Sequence, residues 1–286
     1  MATIGLVMHR DRSLAVDVAR AMTTWLSDRG HDVRLPSADA TLVGHPELGA
    51  DGQQLAGGLD LAVSIGGDGT MLRTVDLMVA HDVPLLGVNV GQLGYLAAVE
   101  PSAWPDALER ILAGSHEIEQ RMLLAVKTVP GGEGRTGQAE LSLNEAVIEK
   151  DAAGHTIRLA IWIDGDFFTT YVADGFIVAT PTGSTAYALS AHGPVLAPSH
   201  RALLLTPVCP HGLFDRSLVL SPATTVRLEV CGHRPATLSI DGRPRGTLRS
   251  GDSIECTAAE LTAKLVTFGR RNVLNVLKTK FGLSDR

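Results

Sequence analysis

The sequence predicts an α/β domain built on a parallel sheet, followed by a second domain rich in β-strands. From Met1 to Ser115, short apolar runs alternate with segments of helical spacing, which is the pattern of α/β domains. From His116 to about Phe268, the chain changes to short β-rich runs with turn residues between them. Helical spacing returns from Arg270 to Phe281, and we expect this segment to pack on the first domain. The predicted domains are therefore 1–115 with 269–286, and 116–268.

The elements of the first domain follow from the spacing of its apolar residues. Continuous apolar runs predict buried strands, and apolar residues three or four positions apart predict helices. The predicted strands are Thr3–Met8, His31–Leu35, Asp60–Ile65 and Val83–Val88. The predicted helices are Asp11–Arg29, Thr70–His81 and Pro101–Gly114, the last with Trp104 and Leu108 facing inward. Between them, Gly44–Gly58 is expected to be a loop.

The second domain shows short β-rich runs and one helical segment, around Ser184–Ser190. Glycines from Gly131 to Gly137 indicate a flexible hairpin tip. The predicted strands include Leu123–Val129, Thr156–Ile163, Phe176–Ala179, Thr225–Val230, Thr237–Ile240 and Leu261–Phe268. Such a series is typical of a sheet that is mainly antiparallel.

Composition excludes several classes of function. The chain of 286 residues has 4% aromatic residues and a net charge of −6, so it offers neither a stacking surface nor a general positive charge for nucleic acid. No apolar run reaches the roughly 18 residues of a membrane span, and Met1–Val7 does not resemble a signal peptide. Cys209, Cys231 and Cys256 are far apart, which favours buried reduced thiols in a cytoplasmic protein.

A glycine-rich turn follows the apolar run Leu61–Ile65. Gly66, Gly67 and Gly69 surround Asp68, and a helical segment comes next. This layout places one carboxylate at the carboxyl end of a parallel strand, where open α/β sheets bind their ligands. Glycines there let backbone amides approach a phosphate or ribose, and the helix start favours an anion. A tight turn with a capping aspartate explains the same residues equally well.

Two further segments carry polar groups inside apolar surroundings. Asn144 and Glu145 lie side by side, and from a strand end both can reach one ligand, although a polar pair at a turn is the simpler interpretation. The segment Asp174–Ser190 ends a strand in hydroxyls interrupted by Pro181 and Gly183. Its four hydroxyls from Thr180 to Thr185 are more than one helix cap requires, which favours a phosphate or ribose site.

Together these segments resemble the NAD kinase family over nearly the full length of the chain. Gly66–Thr70 is similar to the family's GGDGT motif, Asn144-Glu145 to its NE motif, and Asp174–Ser190 to its DG…TPTGSTAY…S stretch. The remaining similar segments are Gly87–Leu96, Pro207–Leu213 and Asp241-Gly242. GGDGT alone is shared with some lipid kinases, whereas the TPTGSTAY stretch and the order of the set are far more specific.

The resemblance implies an NAD-kinase-like two-domain fold, with a Rossmann-like parallel sheet and a β-rich domain. It implies transfer of a phosphoryl group from ATP, another nucleoside triphosphate or polyphosphate to the 2′-hydroxyl of the adenosine ribose of NAD, giving NADP. Mg²⁺ or another divalent cation is expected to accompany the donor. Family members are commonly homodimers or homotetramers, so the same assembly is expected here.

The resemblance also implies roles for individual residues. Asp68 is expected to be the general base, Asn144 and Glu145 to hold adenine and ribose, and Tyr187 to stack on the dinucleotide. Arg73 is one helical turn beyond Asp68, where it reaches a phosphate or is simply solvated. The resemblance assigns no metal ligand in the protein. The full set of expected ligand-binding residues is Gly67, Asp68, Gly69, Arg73, Asn144, Glu145, His155, Asp174, Thr182, Ser184, Thr185, Ala186, Tyr187, Ala188, Leu189, Ser190 and Arg243.

The chain departs from the family's pattern at two places that bear on activity. His192 stands where the family usually has glycine, and Gln92 where it often has arginine. If the backbone at His192 needs a positive φ, histidine is costly but tolerable there. These departures keep two alternatives open: a dinucleotide-binding sensor with weak or no turnover, and a related lipid kinase, for which the sequence shows no basic amphipathic stretch.

Overall fold

The computed structural model describes residues 1–92, 94–97, 99–132, 137–269 and 273–283. The strands in chain order are β1 (Thr3–Met8), β2 (Asp32–Pro36), β3 (Gly49–Ala50), β4 (Leu61–Gly66), β5 (Leu85–Asn89), β6 (Glu117–Val129), β7 (Ala139–Ser142), β8 (Glu145–Lys150), β9 (Ile157–Ile163), β10 (Asp166–Ala173), β11 (Gly175–Ala179), β12 (Leu203–Val208), β13 (Leu218–Leu220), β14 (Val226–Val230), β15 (Ala236–Ile240), β16 (Arg243–Leu248) and β17 (Ser253–Thr267). The α-helices are α1 (Ser13–Asp28), α2 (Ser37–Val43), α3 (Gln53–Ala56), α4 (Asp68–Met78), α5 (Trp104–Leu112), α6 (Tyr187–Ser190) and α7 (Val273–Phe281).

The chain divides into two compact units. The first comprises Met1–Gln120 with Thr262–Arg286, and the second comprises Arg121–Leu261. Strand β17 contributes its first residues to the second unit and its last residues, from Thr262 onward, to the first.

The first unit contains a parallel sheet with the strand order β17–β5–β4–β1–β2–β3. Every residue of β4 is buried, as expected for a parallel sheet that is covered on both faces. In the β4–β5 register Gly66 lies opposite Asn89, so the glycine turn after β4 and the loop after β5 begin at the same edge of the sheet. This confirms the predicted parallel sheet and the predicted position of both loops.

Several helix boundaries in the first unit differ from the sequence-based prediction. The glycine-turn helix begins at Asp68 rather than Thr70 and continues from Val79 to His81 as a 3-10 turn. Segment 44–58 is not only loop: it contains a 3-10 turn at Pro46–Leu48 and the short helix α3, whose Leu55 and Ala56 are buried. Burial of one or two side chains is enough to hold such a short helix, which intrinsic preference alone would not form. Trp104 and Leu108 of α5 are buried, as predicted.

The second unit consists mainly of antiparallel strands. One sheet has the order β13–β12–β11–β8–β15–β16, and the other pairs β10, β9, β14 and the start of β17. Side chains of both sheets, such as Ile148 and Val178 of one and Ile161 and Leu228 of the other, form one buried cluster. Strand β8 lies between β11 and β15, so its first residue, Glu145, begins inside the sheet.

Four local expectations need correction or fall partly outside the described residues. The predicted helix at Ser184–Ser190 is a 3-10 turn at Gly183–Thr185 followed by the single turn α6. Cys256 is buried, but Cys209 and Cys231 are exposed because each follows the end of a strand. Residues 133–136 of the predicted hairpin tip and residues 270–272 of the predicted last helix lie outside the described residues. In the described part of the chain, no helix has the length and apolar character needed to cross a membrane.

Candidate active site

The first unit presents a sharp turn between β4 and α4. An added Cβ on Gly66 would lie 2.1 Å from Oγ1 of Thr70, so only glycine allows the helix to begin this close to the strand. By contrast, added Cβ atoms on Gly67 and Gly69 would meet no described atom within 4 Å, so the turn is open above these two residues. The absence of side chains at Gly67 and Gly69 leaves the backbone amides at the start of α4 accessible to an anion.

Asp68 is fixed by the loop that follows β5. Its Oδ2 accepts a hydrogen bond from the backbone N–H of Tyr95 at 2.8 Å, and its Oδ1 accepts one from Leu96 at 2.9 Å. An added Cβ on Gly94 would lie 2.2 Å from Oδ1, so the loop can approach only because residue 94 is glycine. Asp68 is the first residue of α4, Gly67 occupies the cap position, and no side-chain capping bond forms. The capping interpretation of this aspartate is therefore wrong.

A cavity of about 510 Å³ opens beside Asp68 and is rich in arginine. Nη1 of Arg73 donates to the carbonyl of Met8 at 3.2 Å, and its Nη2 donates to Asp39 at 3.0 Å, so Arg73 is held in place rather than simply solvated. Nη1 of Arg12 donates to the carbonyl of Val90 at 3.0 Å. The cavity is lined by Met8, His9, Arg10, Asp11, Arg12, Gly67, Asp68, Gly69, Thr70 and Arg73.

Sequence reasoning missed Arg10 and Arg12. Both follow β1, which lies next to β4 in the sheet, so they project from the same edge as the glycine turn. The charged run His9–Arg12 directly after a fully apolar strand was the signal that could have identified them. The chain has Gln92 where the family often has arginine, but Arg10 and Arg12 supply positive charge to the same edge from the segment after β1.

In the second unit, Asn144 and Glu145 lie where a network of buried hydrogen bonds organises the backbone. The carboxylate of Asp241 accepts hydrogen bonds from Oγ of Ser142 at 2.6 Å and from the backbone N–H of Asn144 at 2.7 Å. It also accepts from the N–H groups of Leu143 at 2.9 Å and Glu145 at 3.3 Å. Asp241 itself has a φ of +47°, a conformation that aspartate tolerates better than most residues. This late Asp-Gly turn therefore holds the Asn144-Glu145 pair in position.

Glu145 is the most perturbed carboxyl group of this region. It is 6% exposed, and its Oε2 is buried with no hydrogen-bond partner among the described residues. Burial and, to a smaller extent, the nearby charge of Asp241 raise the pKa of Glu145 to about 8, against the opposing effect of a hydrogen bond from the backbone of Tyr187. A buried polar atom without a partner is uncommon and indicates a place where a ligand group can bind. At neutral pH this carboxyl is mainly protonated, so it can donate as well as accept.

The hydroxyl-rich turn after β11 uses most of its hydroxyls internally. Oγ1 of Thr180 donates to the carbonyl of Leu143 at 2.6 Å, and Oγ of Ser184 donates to that of Pro181 at 2.6 Å. Oγ1 of Thr182 accepts from Arg121 at 3.4 Å, and Oγ1 of Thr185 donates to the carbonyl of Thr182 at 3.1 Å. These hydroxyls build the turn. Because α6 is a single turn, the predicted anion site at a helix start has little dipole to support it.

The turn nevertheless brings α6 to the Asn144-Glu145 pair. An added Cβ on Gly183 would lie 2.2 Å from the carbonyl oxygen of Asn144, so the two segments are in direct contact. Ala188 is buried, Leu189 is half-buried and Ser190 is exposed, while Ala186 is half-buried between the two helical turns. His192 has a φ of +62°, which confirms that this position needs the left-handed conformation that glycine adopts most easily.

Tyr187 joins this pair to a second group of charged residues. The residue is 38% exposed, and burial together with the carboxylates of Glu149 and Asp174 raises the pKa of its hydroxyl. Asp174 precedes β11 and forms an ion pair with Lys150 at 2.7 Å. Because Asp174 and Thr180 flank the five residues of β11, they lie roughly 20 Å apart, at opposite ends of the strand. The backbone of Tyr187 contacts Glu145, while its hydroxyl lies near the charges of Glu149 and Asp174.

His155 and Arg243 lie toward different parts of the second unit. His155 is exposed and lines a cavity of about 270 Å³ with Lys150, His233 and Arg234. That cavity is at the Lys150 end of β8, the opposite end from Glu145. Arg243 begins β16 immediately after the Asp241-Gly242 turn, at the Glu145 end. The structure therefore groups Arg243 with Asn144 and Glu145, and His155 with Lys150.

Comparison with known proteins gives these motifs a common origin. Residues 4–116 match the family model described as the ATP-NAD kinase N-terminal domain, and residues 143–268 match the ATP-NAD kinase C-terminal domain. The chain is 40% identical over 284 residues to an NAD kinase of Heliobacterium modesticaldum, with 98% of each chain covered.

The chain belongs to the NAD kinase family.

Further similarities support the assignment and the fold. An NAD kinase of Syntrophotalea carbinolica is 36% identical over 287 residues, with complete coverage of both chains. The crystal structure of a yeast NADH kinase complexed with NADH superposes with a TM-score of 0.90 at 24% identity, covering 100% of this chain and 89% of that one. An NAD kinase from Archaeoglobus fulgidus in complex with ATP gives a TM-score of 0.74 at 24% identity, covering 98% and 97%. The predicted two-domain fold of the NAD kinase type is thereby confirmed.

Proposed function

We propose that this chain transfers the terminal phosphoryl group of ATP to the 2′-hydroxyl of the adenosine ribose of NAD, giving NADP. The observation that carries the proposal is the fixed carboxylate of Asp68 beside an arginine-lined cavity, in a chain that aligns with NAD kinases over 98% of its length. The family assignment argues against the related lipid kinase. A dinucleotide sensor without turnover is the remaining alternative, and the experiment below tests it directly.

The donor phosphates bind, in this proposal, in the cavity of the first unit. Arg10, Arg12 and Arg73 supply positive charge there, and the open turn at Gly67 and Gly69 exposes the start of α4. Arginine is well suited to this task because its planar fork of donors matches a phosphate group. The cavity thus binds the phosphate chain, which ATP, other nucleoside triphosphates and polyphosphate have in common.

A divalent cation fits this cavity when it is carried mainly by the donor. Asp11 and Asp68 both line it, while the described residues contain no cluster of three or more ligating side chains. Mg²⁺ in phosphoryl-transfer sites commonly uses one or two carboxylates together with substrate phosphates and water. When bound, it supplies neutralisation of the negative charge on the phosphates.

Asp68 acts as the general base in this proposal. The N–H groups of Tyr95 and Leu96 occupy one acceptor direction on each oxygen, which fixes the carboxylate and leaves other lone pairs for the ribose hydroxyl. As the 2′-oxygen forms its bond to phosphorus, its proton passes to Asp68 and the bond to the departing phosphate oxygen breaks. The product is NADP with release of ADP.

The second unit binds the dinucleotide in this proposal. Asn144 and the protonated carboxyl of Glu145 form hydrogen bonds with adenine and ribose, and Tyr187 offers an exposed ring for stacking. Asp174, Ser190 and the backbone of residues 182–189 complete the binding surface, with further contacts from His155 and Arg243. The unpartnered Oε2 of Glu145 is the feature that supports this assignment most directly.

The experiment is an NADP-formation assay with NAD, Mg²⁺ and either ATP or polyphosphate. We expect product with ATP, and we expect Asp68→Asn to keep NAD affinity while kcat falls by about 10²–10⁴-fold, the usual contribution of a general base. Asp28→Asn, at the exposed end of α1, is the matched control and should behave as wild type. Clear NAD binding by calorimetry without product from either donor would support the sensor instead. Full activity in Asp68→Asn would exclude the general-base role.

We also propose a cytoplasmic homodimer or homotetramer. Exposed aromatic side chains of the second unit support the assembly: Phe167, Phe168 and Phe214 are 54%, 41% and 44% exposed. Light scattering of the purified protein tests this, and a monomer at all concentrations would contradict it.

A further inference from the structure

We propose that Asp39 is a positioning residue for the arginine-lined cavity, whose buried carboxylate holds Arg10 and Arg73 side by side toward phosphate groups. The inference rests on the proposed kinase function for its kinetic readout only. No motif of the sequence points to Asp39, which lies on α2 at some distance along the chain from the glycine turn.

The carboxylate of Asp39 is completely buried yet fully engaged. Its Oδ1 accepts from Nε of Arg10 at 2.7 Å and from Nη2 of Arg73 at 3.0 Å. Its Oδ2 accepts from the backbone N–H of Met8 at 3.1 Å. A buried charge without such partners would be strongly destabilising, so the three donors explain how the ion is tolerated. They do not explain why two cations share one oxygen.

Sharing one oxygen gives the two guanidinium groups a defined arrangement. Arg10 follows β1 and Arg73 lies on α4, so different elements deliver two like charges to one place. The carboxylate between them offsets their repulsion. Arg10 uses only Nε in this contact, and within the described residues its two Nη groups make no hydrogen bond. The side chains of Arg10 and Arg73 remain 45% and 27% exposed, and both line the cavity.

This geometry separates two possible roles of Asp39. If the residue only fastens α2 to β1 through Met8, its loss lowers stability and affects both substrates alike. If it positions the arginines, its loss weakens the binding of phosphate chains selectively, because Arg10 and Arg73 then repel each other and lose their common orientation. The second role also requires that the effect of Asp39 disappear when the arginines are absent.

The test compares Asp39→Asn with Asp17→Asn, which breaks an exposed ion pair with Arg20 on α1. We expect Asp39→Asn to raise the KM for ATP by about tenfold, the order expected when charge-assisted hydrogen bonds lose their alignment. The KM for NAD should change by less than about twofold, and calorimetric affinity for inorganic tripolyphosphate should fall in parallel with ATP. Asp17→Asn should leave all three values unchanged. Equal rises in both KM values, or a lower melting temperature alone, would overturn the positioning role.

A double-mutant cycle makes the test independent of overall stability. In an Arg10→Gln, Arg73→Gln background, Asp39→Asn should have little further effect on the KM for ATP, because residues in one network are not additive. An undiminished effect in that background would overturn the proposal. If Asp39→Asn does not fold, Arg10→Gln replaces it, since that side chain is half-exposed, and an unchanged KM for ATP would then overturn the proposal.

The failure of this inference is distinguishable from failure of the proposed function. Wild-type protein that forms no NADP would remove the kinase proposal, yet the tripolyphosphate titration of wild type and Asp39→Asn would still decide the role of Asp39. Active wild type with an unchanged Asp39→Asn variant would remove the positioning role alone.

Discussion

Two carboxyl groups, Asp68 in the turn after β4 and Glu145 at the start of β8, have opposite surroundings. Asp68 is met by two backbone N–H donors and lies beside a cavity lined with arginines. Glu145 is buried near another carboxylate, has one oxygen without a partner, and has its pKa raised to about 8. The surroundings of Asp68 favour the ionised carboxylate that the proposed general base requires, whereas those of Glu145 favour the protonated carboxyl. Surroundings rather than residue type assign the role.

The largest expected effect comes from breaking the network around Glu145. Asp241→Asn keeps the shape and the tolerance for positive φ, but it turns an amide nitrogen toward N–H donors that need an acceptor. We expect the free energy of unfolding to fall by about 3 kcal/mol, measured by urea denaturation. Asp215→Asn, in an exposed ion pair with Arg216, is the control and should lie within about 0.5 kcal/mol of wild type. A similar small change in Asp241→Asn would show that the network is not needed.

The substitution Gly94→Ala tests whether the fixed orientation of Asp68 matters for activity. The new Cβ would lie 2.2 Å from Oδ1 of Asp68, so the carboxylate or the loop must move. We expect kcat to fall by about 10²-fold, because Asp68 is the proposed general base and displacement of a reacting group by about 1 Å can have that effect. Gly212→Ala, where an added Cβ meets no described atom within 4 Å, should retain the wild-type rate. Retained activity in Gly94→Ala would mean that the fixed orientation of Asp68 contributes little.

The protonated state of Glu145 predicts a pH dependence of stability. Its pKa is about 8 in the folded protein against 4.5 for an ordinary glutamate, so the folded state binds the proton more tightly. The contribution of this proton to the free energy of unfolding is fully present below the pKa of Glu145 in the unfolded chain, and it is lost as the pH rises through about 8. Glu145→Gln should remove this loss of stability. We expect the loss to amount to about 2 kcal/mol over the upper part of the pH range between 4.5 and about 8. Parallel stability profiles of wild type and Glu145→Gln would contradict a raised pKa.

The smallest expected effect concerns the backbone strain at His192, in the turn next to Glu145. His192 holds a φ of +62°, so His192→Gly should raise the free energy of unfolding by up to about 1 kcal/mol, measured by thermal melting. His200→Gly, at an exposed position without positive φ, should be neutral or destabilising. Destabilisation by both substitutions would indicate that the His192 side chain contributes contacts that outweigh its backbone strain.

The fold was predictable where one element carries its own signal. Strand β1 was predicted with its observed bounds, because a short apolar run next to a charged segment has only one interpretation. Helix α2 was not foreseen, since its seven residues are too few to show a period and tertiary contacts of the buried Asp39, Ala40 and Val43 hold it. The same limit applies to α6, which is one turn between two segments of irregular backbone.

The site was predictable where its residues are neighbours in sequence. Asp68 and the Asn144-Glu145 pair lie inside compact motifs, so the resemblance was enough to propose them as site residues. Asp39 lies 29 positions from Arg10 and 34 from Arg73, and no local pattern links the three. The hydroxyls from Thr180 to Thr185 have a structural role that their chemistry did not reveal, since they form hydrogen bonds that shape the turn, and their predicted contact with a ligand stays a prediction.

The first unit cannot complete its sheet until strand β17, near the other end of the chain, has been made. The last residues of β17 pair with β5 through Leu265 and Leu85, so the sheet that begins at Thr3 is closed by a segment near the other end of the chain. Closing so long a loop is slow, and the sheet edge at β5 has to wait for it. During synthesis, the unit that leaves the ribosome first is therefore the one that is completed last, and the edge of β5 at Leu85, beyond the part that Val99 pairs, is the point at which a chaperone would be most useful.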